Sequence, residues 1–174
     1  MALLRGIDVG SHKKIPMAAL RDVLTKVGFE NVLTYIQSGN VILRSSETNT
    51  SLIEQSIKKA IAYHFGFDVP VIVKTTEELA RILEACPFSE EKKTSSYFIV
   101  LSAVPASYCV DEVKHIKYND EEFEILGDCL YFYTANGYGR TKFNIKTFEK
   151  KLKVKATSRN YKTMVKLLAI SSEI

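Results

Sequence analysis

The sequence lacks tryptophan, has only four prolines and three cysteines in 174 residues, and contains no long apolar run. A membrane-spanning helix needs about 18 or more apolar residues in succession, so the pattern predicts none. The cysteines, Cys86, Cys109 and Cys129, are odd in number and form no C-x-x-C pair. Such usage is typical of reduced thiols rather than of a disulfide framework. Because the first residues also lack the features of a signal peptide, we expect a cytoplasmic protein.

The composition is that of an ordinary globular protein. Hydrophobic residues make up 46% and charged residues 25% of the chain, and nine tyrosines and nine phenylalanines supply the bulk that tryptophan does not. This length and composition fit one domain, or two small subdomains that are joined.

The first half predicts the order β-α-β-β-α-β. Strand-like runs cover residues 2–7, 32–37, 41–44 and 69–74, and helical spacing of apolar residues separates them. Gly28 follows the first helical pattern, so we expect it to end that helix with a positive φ. This order is the split βαβ pattern of ferredoxin-like folds, and it predicts that residues 32–37 and 41–44 pair as a hairpin.

The second half repeats this order loosely. It reads as a strand over residues 96–103, a weak helix over 108–116, a hairpin around Gly127-Asp128, a basic helix over Lys142–Lys153 and a final helix from Tyr161. The sequence therefore predicts an α+β protein of two ferredoxin-like (βαββαβ-type) pseudo-repeats packed as one body, with antiparallel sheets and helices on one face. We expect the first subdomain at residues 1–86, and the second, with the C-terminal helix, at 87–174.

Two polar turns in the first half are candidate ligand sites. The loop that follows the first strand contains Arg5, Gly6 and Gly10, and its backbone N–H groups are suited to an anion. Gln37 and Asn40 flank Ser38-Gly39 in the predicted hairpin turn, where amide groups read a polar ligand or satisfy the backbone of the turn. Both loops also admit the simpler interpretation that they serve only as turns.

The string Thr157-Ser158-Arg159-Asn160 is predicted to lead directly into the last helix. An arginine at the positive end of a helix is unfavourable unless an anion joins it. That anion is either a carboxylate of the protein or an external ligand such as phosphate. Arg159 and Asn160 are therefore candidate ligand-binding residues.

Basic residues are concentrated near the C-terminal end. From Arg140 to Lys166 there are ten basic residues and one acid, Glu149, whereas residues 120–128 are rich in acids. Lys142, Lys146 and Lys150 recur every four residues, which places them on one face of the predicted helix. This face contacts nucleic acid or is a solvated surface.

No metal or cofactor site is predicted. His12, His64 and His115 lie far apart without partners at ligand spacing, and no cysteine or serine has a nucleophile's context. A phosphate-handling enzyme would need a general base, for which Asp8 and His12 are the candidates.

Four separated strings together resemble a known family. They are residues 1–10 (MALLRGIDVG), 14–17 (KIPM), 35–41 (YIQSGNV) and 156–161 (ATSRNY). The chain resembles the bacterial domain of unknown function 1697 family over nearly its whole length. The resemblance implies two ferredoxin-like subdomains and no particular activity.

These observations predict a cytoplasmic protein that binds a small anionic or nucleotide-like ligand, or nucleic acid, near Arg5, Gln37, Asn40, Arg159 and Asn160. One alternative is a phosphate-handling enzyme with the same cleft. Another is a scaffold that binds a protein partner through an exposed sheet edge. We expect no cofactor and no membrane contact, and the oligomeric state stays open.

Overall fold

The computed structural model describes residues 1–8 and 14–173 of the chain. By the density of its contacts the chain divides into two compact units, one made of Met1–Glu78 with Leu167–Ile174 and the other of Leu79–Lys166. The sequence predicts the boundary between the two subdomains between residues 86 and 87. That boundary stays a prediction.

The first unit has the predicted order of strands and helices. Its elements are β1 (Ala2–Leu4), α1 (Met17–Lys26), β2 (Glu30–Tyr35), β3 (Asn40–Arg44), α2 (Thr50–Phe65) and β4 (Val71–Val73). The strands form an antiparallel sheet in the order β2-β3-β1-β4, so β1 pairs with both β3 and β4. The predicted pairing of β2 with β3 is confirmed. Strand order and connections are those of a ferredoxin-like fold.

Helices α1 and α2 pack on one face of this sheet because each presents an apolar stripe. Leu20 and Leu24 of α1 and Ile57 and Ile61 of α2 are fully buried in a core that includes Leu4 of β1. Burial of each of these side chains stabilises the fold by about 1.5–3 kcal/mol before the cost of ordering the chain.

Both helices stop at glycines in left-handed conformations. Gly28 follows α1 with φ +100°, which confirms the conformation predicted from the sequence, and Gly66 follows α2 with φ +71°. The amide of Phe29 then donates to the carbonyl of Leu24, and the Phe29 ring is buried. The chain thereby turns from α1 into β2 with its backbone groups paired.

The second unit repeats the topology of the first. Helices α3 (Thr76–Glu84) and α4 (Glu90–Thr94) follow β4 in the chain. The repeat then consists of β5 (Tyr97–Leu101), α5 (Ser107–Lys114), β6 (Glu121–Leu126), β7 (Cys129–Thr134), α6 (Ile145–Leu152) and β8 (Ala156–Asn160). The last helix, α7 (Tyr161–Ser171), follows β8. The antiparallel sheet has the order β6-β7-β5-β8, with β5 in the position of β1. The predicted pseudo-repeat is therefore present in strand order as well as in element order.

Stacked phenylalanines fill the core between this sheet and its helices. Phe143 lies between Phe132 of β7 and Phe148 of α6, with ring centroids 4.5 Å and 4.7 Å apart. Aromatic pairs at this distance contribute about 0.5–1.5 kcal/mol beyond the area that they bury. Phenylalanine thus provides the bulk in a sequence without tryptophan.

The structure differs from the sequence prediction at both sides of the basic helix. Helix α6 begins after Asn144, whose side chain accepts a hydrogen bond from the amide of Lys146, and it ends at Lys153, which has φ +57°. The helix predicted over Lys142–Lys153 is therefore shorter at each end, and Lys142 lies outside it. Ala156–Asn160 leads into the last helix as expected, but it also forms a strand that the sequence did not predict, β8, because pairing with β5 along five residues satisfies its backbone.

Gly39, in the turn between β2 and β3, gives a test of this fold. It has φ +80°, and a Cβ atom there would lie 2.7 Å from both Ile7 Cδ1 and Leu4 Cβ. We expect Gly39→Ala to lower the free energy of unfolding by about 2 kcal/mol or more, because left-handed strain and overpacking add.

The matched control is Gly66→Ala, at φ +71° with no atom within 4 Å of the added Cβ. It should show only the left-handed strain, about 1–2 kcal/mol. Urea denaturation of both variants measures the difference. Equal losses of stability for the two variants would contradict the close approach of Gly39 to β1.

Candidate functional site

The loop after β1 lies against the turn between β2 and β3. The amide of Leu4 donates to the carbonyl of Gly39 at 2.8 Å, and the amide of Arg5 donates to the carbonyl of Pro70 at 3.0 Å. Four of the predicted ligand-binding residues, Arg5, Gly6, Gln37 and Asn40, thus belong to adjacent loops in the first unit.

The amide side chains in this region contact the backbone. Asn40 is completely buried, and its Nδ2 donates to the carbonyl of Tyr35 and to Ser38 Oγ, both at 3.0 Å. Gln37 is exposed, and its Nε2 donates to the carbonyl of Ile15 at 3.1 Å. These hydrogen bonds hold the turn in place, as local side-chain to backbone bonds commonly do.

The same turn contains a strained residue. Ile36 has φ +50°, although its side chain is branched at Cβ and is half-exposed. A left-handed conformation costs a residue of this kind about 1–2 kcal/mol, so the surrounding hydrogen bonds must impose it.

The loop from Arg5 to Asp8 is only partly buried. Arg5 is half-buried, whereas Gly6 and Asp8 are exposed and have φ values of +71° and +52°. Gly10 and His12, which the sequence suggests as an anion-binding glycine and a general base, lie outside the described residues. Their predicted roles stay predictions.

Arg159 occupies a strand rather than the start of a helix. It pairs with Phe98 of β5, so its side chain lies on the sheet face opposite Ile99, which packs with α5 and α6. Arg159 is 7% exposed, and its guanidinium donates to Thr157 Oγ1 at 2.9 Å and to the carbonyl of Ser158 at 2.8 Å. Burial lowers its pKa to about 10. Arg159 thus precedes the last helix by two residues, as the sequence predicts, but it lies in a strand that the sequence did not predict.

Asn160 caps the last helix. Its Oδ1 accepts a hydrogen bond at 2.8 Å from the amide of Thr163, the third residue of α7. Asn is among the preferred residues at this position because its oxygen pairs an amide that the helix leaves free. Asn160 therefore has a structural role at the start of α7.

Lysines converge on one concave surface of the second unit. An open concavity of about 500 Å³ is lined by Lys146, Lys150, Lys153 and Lys155, together with Ser102, Glu149 and Val154. We call it the lysine concavity. Helix α6 contributes the first two lysines, and the turn after α6 contributes the others. The four lysines face one acid, so the local charge is positive.

Hydrogen bonds fix the floor of the lysine concavity. Ser102 and Lys155 are joined twice, through the Ser102 amide to the Lys155 carbonyl at 2.8 Å and the Lys155 amide to Ser102 Oγ at 3.0 Å. Glu149 Oε1 accepts from the amide of Ala156 at 2.8 Å. The acid thus stabilises the start of β8, and the lysine side chains extend from an anchored backbone.

An exposed tyrosine borders this surface. Lys153 Nζ donates to the Tyr108 hydroxyl at 3.2 Å and lies 5.1 Å from the centre of the Tyr108 ring. This hydrogen bond raises the pKa of Lys153. The Tyr108 side chain is 56% exposed, which leaves aromatic surface available beside the lysines.

Lys142 does not belong to this group. Its amide donates to Glu121 Oε1 of β6 at 3.3 Å, so its backbone lies beside the strand at the other edge of the sheet. Of the predicted nucleic-acid residues, the structure brings together Lys146 and Lys150. Sequence reasoning missed Tyr108 and Ser102, because nothing in their local sequence connects them with α6.

The described residues contain no cluster of His, Cys, Asp and Glu suited to a metal ion. Within residues 1–8 and 14–173, no helix has both the length and the apolar character to cross a membrane.

The environment of Arg159 predicts a loss of stability on truncation. In Arg159→Ala, Thr157 Oγ1 and the carbonyl of Ser158 lose a buried donor, which we expect to lower the free energy of unfolding by about 1–3 kcal/mol. Arg140→Ala, at an exposed position in the same unit, should stay within about 0.5 kcal/mol of wild type.

Thermal unfolding with and without inorganic phosphate measures both variants. An Arg159→Ala protein that melts like wild type, but is no longer stabilised by phosphate, would contradict the structural role and indicate a ligand-binding arginine.

Comparisons with known proteins place the chain in a family. The family model described as protein of unknown function (DUF1697) matches residues 1–131. A comparison with curated proteins found no match. The solved structure of the conserved bacterial protein SP0830 from Streptococcus pneumoniae superposes with a TM-score of 0.74 at 24% identity, covering 98% of this chain and 96% of that chain, which shows a common fold. Because the family model spans residues 1–131 of 174, the chain belongs to the DUF1697 family.

Proposed function

We propose that this protein binds the phosphate backbone of nucleic acid through the lysine concavity. The observation that carries the proposal is the convergence of Lys146, Lys150, Lys153 and Lys155 on one concave surface with a single acid. A concave surface of one sign concentrates its potential and attracts polyanions.

The dimensions favour a polymer over a single phosphate. Lys146 lies in the first turn of α6 and Lys153 directly follows the helix, seven residues later, which corresponds to about 10 Å at the helical rise per residue. Nucleotides along one strand of a duplex rise by about 3.4 Å each, so this row spans about three nucleotide steps along the helix axis. A single phosphate would engage only part of it.

Tyr108 supports a role with unpaired bases. Proteins that bind single strands without sequence preference combine a basic groove with aromatic rings on which bases stack. Tyr108 is exposed and is held at the border of the concavity by Lys153. Single-stranded substrates are therefore the first to test. A cytoplasmic location, where nucleic acid is plentiful, is part of this proposal.

A small anionic ligand in the first unit remains a separate prediction. It involves Arg5, Gly6, Gly10, Gln37 and Asn40 and rests mainly on the first three, since the side-chain amides of Gln37 and Asn40 already donate within the first unit. The enzyme alternative would use Asp8, which is exposed in the same loop.

Salt dependence tests the nucleic-acid proposal. We expect short single-stranded oligonucleotides to bind at about 50 mM salt and to weaken steeply towards 200 mM, as counterion release requires. The slope of log affinity against log salt is negative. Replacing Lys146, Lys150 and Lys155 by Gln should make it shallower by about 0.7 for each phosphate that the variant no longer neutralises. Fluorescence anisotropy with a labelled oligonucleotide measures this slope.

Two controls separate the concavity from general positive charge. Replacing Lys14, Lys26 and Lys59 by Gln removes three positive charges from the first unit and should leave the slope unchanged. Lys142→Gln removes a charge of the basic segment outside the concavity and should have little effect. Absence of binding at about 50 mM salt, where such interactions are strong, would contradict the proposal.

A further inference from the structure

Strand β6 is an edge of the second sheet and borders a groove. It pairs with β7 on one side. On its other side Tyr118 forms an isolated antiparallel bridge with Glu121, and no strand of the described chain pairs with the rest of this edge. A groove of about 360 Å³ follows this free edge. Its walls include Val110, Lys114, Ile116, Lys117 and Tyr118 on one side and residues 121–125 of β6, three of them glutamates, on the other. We call it the β6 groove.

The register shows which backbone groups point into solvent. Gly127 and Asp128 form a two-residue turn, so the flanking pair Leu126 and Cys129 exchanges hydrogen bonds across the hairpin. Because backbone hydrogen bonds alternate along a strand, the N–H and C=O groups of Glu124 and Glu122 also point towards β7. Phe123 and Ile125 then direct their N–H and C=O groups away from β7.

An independent bond confirms this alternation. The amide of Leu101 in β5 donates to the carbonyl of Asp128 at 2.9 Å. The backbone groups of residue 128 therefore point to β5, and by alternation so do those of 130 and 132. The backbone groups of 129, 131 and 133 point to β6.

The side chains along the free edge are incompletely covered. Phe123 and Ile125 are half-buried and pack with Val110 and Ile116 at the margin of the second core. A strand added to β6 would cover these apolar side chains further and pair the free backbone groups at once. Addition of an extended peptide to a sheet edge beside a helix is a recurrent mode of recognition.

The acids of β6 select the occupant. Glu122 and Glu124 are exposed on the opposite face of the strand. Glu122 Oε1 already accepts from Lys92 Nζ at 2.6 Å, whereas Glu124 has no ion pair within the described chain. Glu121 lies on the face of Phe123 and Ile125, and its Oε2 is a buried acceptor to which no described residue donates; such atoms are uncommon in folded proteins. Of the lysines that line the groove, Lys114 is paired with Asp111 at 3.0 Å, which leaves Lys117 against Glu121 and Glu124. The edge is therefore acidic on balance and favours cationic side chains.

The same acids disfavour a second copy of the chain. In an antiparallel pairing of β6 with itself, residues of the same face lie opposite each other, so Glu122 and Glu124 would meet acids of the other copy. Like charges directly opposite on a sheet are destabilising.

We propose that the β6 edge binds an extended segment of a partner protein in which basic and apolar residues alternate. The apolar residues cover Phe123 and Ile125, and the basic residues lie on the face of Glu122 and Glu124. This interaction is independent of the lysine concavity, which attracts ligands of the opposite charge.

A synthetic peptide tests the proposal with the full-length chain. The probe is the acetylated and amidated peptide Lys-Val-Lys-Val-Lys-Val-Lys, and the matched control peptide has Glu in place of each Lys. We expect the first to bind and the second not to bind. Glu124→Lys should weaken the Lys peptide by about fivefold or more, because one cross-strand attraction becomes a repulsion, and should permit the Glu peptide. Asp22→Lys, an equal charge change on α1, should leave both affinities unchanged.

Amide hydrogen exchange identifies the binding mode. Saturation with the Lys peptide should slow exchange of the Phe123 and Ile125 amides by about tenfold or more, while the Glu122 and Glu124 amides are already protected by β7. If the Lys peptide does not bind, the acids serve only to prevent strand pairing at this edge, and the proposal is overturned. Binding without slower exchange at Phe123 and Ile125 would overturn it too, as would protection that rises with protein concentration alone.

Discussion

The central strand of each sheet is the constraint on which the structure depends. Ala2, Leu3 and Leu4 of β1 have no exposed surface, and the same is true of Phe98 and Ile99 in β5. A strand without access to water must find partners for its backbone groups on both edges. Each unit meets this requirement in the same way, with one hairpin strand on one side and the last strand of the repeat on the other. The repeated order follows from one shared solution to the pairing of a buried strand.

Burial of the central strands moves the candidate interactions to the periphery. Polar residues within or beside the strands stabilise the fold, as Asn40 does for the first hairpin turn and Arg159 for the backbone of β8. The surfaces that remain available lie at the sheet margins, where the lysine concavity adjoins β8 and the groove adjoins β6. The candidate binding surfaces therefore lie at the margins of the sheet, where side chains and backbone groups are still accessible to a partner.

The two edges of the second sheet carry opposite charge. The acidic residues of the segment 120–128 lie in and next to β6, and Lys155 directly precedes β8 at the other edge of the sheet. Charge segregation along the chain thus becomes segregation across the width of the sheet, in which neighbouring strands lie about 4.8 Å apart. From β6 to β8 this width exceeds the Debye length of about 8 Å at physiological salt, so each edge presents its own potential to partners. Position in the sequence does not always predict the edge at which a charge lies. Lys142 belongs to the basic segment, but its backbone contacts Glu121 of the acidic edge.

The sequence by itself determined features that depend on nearby residues. Left-handed glycines, hairpin turns and apolar spacing are local features. They predicted the end of α1 at Gly28, both hairpins and the doubled βαββαβ order. Four short strings indicated the family. Features that depend on distant partners were decided by the tertiary structure. Residues 156–160 became a strand because β5 offered an unpaired edge, Arg159 became buried on one sheet face, and α6 began late enough to separate Lys142 from Lys146 and Lys150. No local pattern contains this information, because the free energy that selects each outcome comes from pairing and burial between segments far apart in the chain.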